Sequence, residues 1–131
     1  MIYKIDVEIV APVYPTEDPT RVTTAIESIF PTAEVEENTG EVTAVTHSID
    51  RFSELLAKQR IKETARMVLS EGTEGEVISF RLSKQAALAN VVNFAVDEGA
   101  ELGDIDVRIR VEQPTPDRLI EELTAPTEEQ D

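Results

Sequence analysis

Between residues 2 and 11 the chain alternates, with Tyr3, Ile5, Val7, Ile9 and Ala11 on one side and Lys4, Asp6 and Glu8 on the other. That period of two predicts a strand with one buried and one wet face. Asp18 then stands as an N-cap ahead of Pro19, and Val22, Ala25, Ile26 and Ile29 recur at helical spacing before Pro31. Two short β-prone runs, 33–37 and 41–47, flank Asn38-Thr39-Gly40, a segment whose Asn and Gly tolerate positive φ in a tight turn. The opening unit is therefore expected to be β-α-β-β.

Asp50 can cap one long helix running to about Ser70, carrying Leu55, Leu56, Ile61, Ala65, Val68 and Leu69, with Gly72 and Gly75 breaking it afterwards. Val77–Leu82 is the next strand, with Ile78, Phe80 and Leu82 on one face, and Ser83 can cap a short helix containing Ala86, Ala87 and Leu88. Residues 91–98 fit helix or strand, and a strand from about Asn93 is the expectation adopted. Ile105, Val107, Ile109 and Val111 alternate with Asp106, Arg108 and Arg110 as a strand, and Thr115-Pro116 opens a last helix burying Leu119, Ile120 and Leu123.

These elements predict an α+β two-layer sandwich: a mainly antiparallel sheet with helices on one face, in the order βαββ-α-βαββ-α. The two halves repeat in element order without matching residues, a weak structural repeat. With 131 residues the expected organisation is one domain over 1–124, followed by a disordered acidic tail over 125–131.

Charge changes the picture. There are 27 acidic against 12 basic residues, a formal net charge of −15, while 40% of the residues are apolar and able to build a core. At molar salt the Debye length shrinks to roughly 3 Å and such self-repulsion is screened, so a halophilic source is the simplest reading, with an acidic mesophilic protein as the alternative. Cysteine is absent, which excludes disulfides, thiolate nucleophiles and cysteine-type zinc sites. No signal peptide or membrane span is expected, and the compartment reads as cytoplasmic.

The search for reactive groups yields little. The single histidine, His47, lies between Thr46 and Ser48 with no carboxylate beside it in sequence, and is expected to be an exposed structural residue. No glycine-rich phosphate loop occurs. Acid pairs such as Glu36-Glu37, Glu121-Glu122 and Asp104 with Asp106 arise freely in so acidic a chain. No catalytic residue, metal site or cofactor is expected, and the protein reads as non-enzymatic.

Cations are more informative because they are few. Arg51, Lys58, Lys62 and Arg66 follow at spacings of seven, four and four, which a continuous helix would place on one face. Lys84 opens the short helix, and Arg81, Arg108 and Arg110 fall on the polar faces of their strands. Such a set can fork onto phosphate oxygens or pair with the abundant acids, as Glu54 could with Lys58. The stacking aromatics of an RRM sheet are missing.

The stretch Phe52–Leu69, with LLAKQRI and TAR within it, and FRLSKQAALANVVNF at Phe80–Phe94 resemble uncharacterised archaeal protein family number two hundred and one. The resemblance implies a fold like that of large-subunit ribosomal protein number five and a role described as RNA-binding or exosome-associated. It would place the nucleic-acid contacts at Gln59, Arg60, Arg66, Lys84 and Gln85, to which the cation stripe adds Lys62. RNA, an RNA-processing complex or a second copy of the chain are the implied partners. The alternative is a protein-interaction or self-associating module that uses the open sheet face or an edge strand without nucleic acid.

Overall fold

The computed structural model of the chain describes residues 3–95 and 103–125. The expected strands form: β1 (Lys4–Pro12), β2 (Glu34–Asn38), β3 (Glu41–Thr46), β5 (Val77–Leu82) and β6 (Ile105–Gln113), joined by a two-residue edge strand β4 (Thr73–Glu74) that the pattern did not disclose. All pair antiparallel in the order β2-β3-β1-β6-β5-β4. Along β1 and β6 every second side chain is buried, including Ile5, Val7, Ile9 and Val107, Ile109, Val111. The alternation read from the chain is thus the alternation between a helix-covered face and an open face.

Helix α1 (Pro19–Ile29) is capped by the Asp18 carboxylate, which accepts from the Thr20 N–H at 2.9 Å, and buries the expected Val22, Ala25, Ile26 and Ile29. Helix α4 (Lys84–Leu88) is capped by the Ser83 hydroxyl, and α5 (Pro116–Thr124) by that of Thr115. All four phenylalanines of the chain meet in one cluster, with Phe52 stacked on Phe80 at 5.3 Å and on Phe30 at 6.0 Å and edge-on to Phe94 at 6.3 Å. Offset and edge-on rings add directional attraction to the apolar area they bury.

The single long helix expected over 50–70 is two helices, α2 (Asp50–Gln59) and α3 (Lys62–Glu71). At Arg60 the backbone turns left-handed, φ 59°, and the N–H groups of Arg60 and Ile61 close onto the carbonyls of Ala57 and Leu56. This is a Schellman termination with arginine in the place usually held by glycine. Neither glycine nor proline marks the break in the sequence, and the cation stripe Arg51, Lys58, Lys62, Arg66 is split between two helices. Asp50 is the first helical residue rather than the cap, since Ile49 holds the cap position without a side-chain bond.

The strand expected from Asn93 is a single bridge, Leu82 to Phe94, flanked by bonds from Ser83 N–H to the Asn93 carbonyl and from Ala95 N–H to the Arg81 carbonyl. Residues 91–95 thus form neither a helix nor a named strand, while 96–98 lie outside the described residues, as does the expected tail beyond Ala125. Among the described residues no helix is long and apolar enough to cross a membrane.

Candidate nucleic-acid interface

The six residues singled out as contacts divide by what they touch. Gln59, the last residue of α2, is half-buried, and its amide clips the chain across a gap of 33 residues: Nε2 donates to the Val92 carbonyl at 2.9 Å and Oε1 accepts from the Val92 N–H at 2.8 Å. Lys62 Nζ donates to the Ala125 carbonyl at 2.6 Å, and Arg66 Nε donates to the Thr124 hydroxyl at 3.1 Å, so both hold the end of α5. Lys84 is only 7% exposed and donates to both Glu17 carboxylate oxygens, at 2.9 and 3.2 Å, and to the Pro12 carbonyl, with the Tyr14 ring 5.5 Å away. A buried lysine is tolerable when so paired. Arg60 and Gln85 are exposed.

The Gln59 clip brings two stretches of chain together, and both lack carboxylates. Leu55–Lys62 contains no acidic residue, nor does Val77–Val96; at 27 acids in 131 residues, a run of 20 would carry about four. The second stretch terminates α4 by the same device as α2. Asn90 is left-handed, φ 62°, and the N–H groups of Asn90 and Val91 close onto the carbonyls of Ala87 and Ala86. Asparagine suits that position, whereas arginine there costs on the order of 1 kcal/mol relative to glycine. Around the clip, Lys58, Arg60, Asn90, Val91 and Asn93 are exposed. Two cations on long stems and amide groups that can donate or accept therefore face water along two runs of chain that carry no carboxylate of their own. Pattern reading named Arg60 as a contact and Lys58 in the cation stripe but did not single out Asn90 or Asn93; the acid-free runs are the sequence feature that groups them.

Other features are less suited to a reaction. A cavity of about 450 Å³ opens between α1, α4 and the Gly103–Asp104 turn, where Gln85, Arg21 and Asp18 line it. His47, without an acid beside it in sequence, gains one through the fold: Nδ1 lies 3.1 Å from Asp6 and 3.0 Å from the Ile5 carbonyl, with both side chains well exposed, which makes the ion pair weak. On the open sheet face, partial burial pushes the Asp106 carboxyl above its ordinary 3.8, Asp104 adds to that, and Arg81 and Arg108 oppose it. Tyr3 is pushed above 10.0 first by burial and then by Glu122 and Asp50. Among the described residues no group of three or more His, Asp or Glu side chains is placed to hold a metal ion.

Fold and patch together define a two-layer α+β protein, and a family model described as RNA binding matches residues 6–111. A UPF0201 protein of Thermococcus kodakarensis is 42% identical over 116 residues, which cover 83% of each chain. A UPF0200/UPF0201 protein of Archaeoglobus fulgidus is 38% identical over 126 residues, 95% of this chain, which spans 39% of that relative's length. The crystal structure of an uncharacterized UPF0201 protein superposes with a TM-score of 0.87 at 38% identity, covering 93% of this chain and 94% of that one. The chain belongs to the UPF0201 family.

Proposed function

We propose that this protein binds RNA without transforming it, through the carboxylate-free patch at the α2–α3 junction and the turn after α4. Arg60 and Lys58 engage phosphate oxygens, and Asn90 and Asn93 supply hydrogen bonds, while Gln85 lines the separate cavity beside α1. The observation that carries the reading is Arg60 itself. A strained left-handed residue on the surface, where glycine would relieve the backbone, is accounted for by what its side chain reaches. The match to the RNA-binding family model supports the same ligand class, and among the described residues the open sheet face carries no aromatic platform, which favours structured RNA over stacked single strands.

Of the other residues read from sequence, Arg66 and Lys62 present charge from the neighbouring turn of α3 while anchoring α5. Lys84 contributes through the fold that holds α4. In molar salt counterion release adds little, so affinity there rests on hydrogen bonds and shape. Such a module suits a place in an archaeal RNA-processing assembly.

Arg60→Gly provides the test, because it removes the guanidinium while relaxing the backbone. Fluorescence anisotropy with a labelled structured RNA hairpin, in about 0.1 M and about 2 M potassium chloride, is expected to show binding weakened about tenfold by Arg60→Gly combined with Lys58→Gln, with the melting temperature unchanged or higher. Each cation removed from a phosphate should lower the salt slope by roughly 0.7–0.9. Unchanged affinity in the folded double variant removes the proposal.

A further inference from the structure

At the centre of the sheet face opposite the helices, acids on β1 stand beside bases on β6. On the β1 side Asp6 and Glu8 point outward, and Glu34 and Glu36 add acids on β2. Arg108 and Arg110 stand on the β6 side between the outward Asp106 and Glu112, with Arg81 on β5 beyond them. The register sets Asp6 opposite Arg110 and Glu8 opposite Arg108, so two acids and two bases form short columns one strand spacing apart, about 4.8 Å, with Val10 opposite Asp106 at the next outward position. Among the described residues Glu8, Arg108 and Arg110 form no ion pair within 4.0 Å. Val10, 37% exposed, and Val45, 50% exposed, supply apolar contact on the same face.

A partner of one sign, RNA included, would meet like charge on part of this surface. A second copy would not. A two-fold axis in the plane of contact, running along the β1–β6 seam, lays the acidic column of each copy over the basic column of the other at both places, and this self-complementarity is what an isologous interface requires. The size also fits: six strands at about 4.8 Å spacing and about 20 Å of strand give roughly 600 Å² in projection, near the ~800 Å² of accessible surface that a standard interface buries per partner.

We propose that the open sheet face is the interface of a homodimer, with Asp6 and Glu8 of each copy over the partner's Arg110 and Arg108, and Val45 over the partner's Ser79. The surface is separate from the patch assigned to RNA, so either reading can fail alone. Multi-angle light scattering of the full chain in about 0.15 M potassium chloride should give twice the 14.5 kDa chain mass at micromolar concentration. Arg108→Glu with Arg110→Glu, and Asp6→Lys with Glu8→Lys, should each yield a monomer, and an equimolar mixture of the two should restore a dimer, seen as the mixed species by native mass spectrometry. Val45→Asp, at an exposed position that leaves the charge columns intact, should weaken dimerisation about tenfold and keeps the test open where a charge variant fails to fold. RNA retention by these variants should match that of the parent. A wild-type monomer at about 100 µM, or a dimer that survives both charge variants and Val45→Asp, overturns the proposal.

Discussion

Replacing Gln59 by alanine separates a structural glutamine from a ligand contact. The side chain makes two hydrogen bonds to the backbone of Val92, a residue only 3% exposed. Truncation leaves a buried N–H and a buried carbonyl without partners, each costing about 1–3 kcal/mol. Because Gln59 is half-buried, water can partly replace it, which puts the sum near the lower end, about 2–3 kcal/mol. With an unfolding entropy of roughly 2.1 cal/mol/K per residue, that is a fall of about 7–11 °C in Tm. Gln59→Glu sharpens the test: a carboxylate can still accept from the Val92 N–H but turns an oxygen onto the Val92 carbonyl, so a nearly isosteric change should be no milder than alanine. Urea denaturation at fixed salt gives the energies, and hydrogen exchange at the Val92 amide gives the location. A change below about 0.5 kcal/mol for either variant would refute the clip.

Buried and strained positions elsewhere give three further expectations. Lys84→Met should cost about 3–5 kcal/mol by stranding the Glu17 carboxylate, whose side chain is 12% exposed, and adding Glu17→Gln should recover most of it in denaturant melts. Gly72→Ala would put a methyl group 1.9 Å from the Ser79 carbonyl oxygen and break the Ser79 N–H to Gly72 carbonyl bond, for about 3 kcal/mol in the same assay. Asp106 has a raised pKa, so the folded state holds its proton more tightly than the unfolded chain. Its contribution is therefore present at low pH and lost as pH rises from the ordinary 3.8 through the folded value. Asp106→Asn should flatten that part of the stability profile, and parallel profiles for the two proteins would contradict it.

Much of the architecture was legible because the strands alternate cleanly. In β1 and β6 an apolar residue at every second position leaves one register that buries them all, and Asp18-Pro19, Ser83 and Thr115-Pro116 mark helix starts by chemistry that acts within a single turn. The break at Arg60 was illegible for the opposite reason. No local residue demands it; it goes with the Gln59 clip to Val92 and with the burial of Leu56 on one helix and of Ala65 and Leu69 on the other. Residues 93–95 misled in the same way, since β-prone side chains there bury Phe94 in the aromatic cluster while pairing through one bridge. For the site, the chain disclosed which cations are scarce but not which are already engaged. Lys84 and Arg60 look equivalent in sequence, and only the packing of α1 against α4 buries one and leaves the other in water.

Ultraviolet crosslinking of the native protein to its cellular RNA, with the joined peptides mapped by mass spectrometry, probes the acid-free patch most directly. Crosslinks should concentrate at Lys58–Lys62 and Asn90–Asn93. Recovery without any RNA, or crosslinks gathered instead on Arg108 and Arg110 of the sheet, would show that the acid-free runs serve some other purpose.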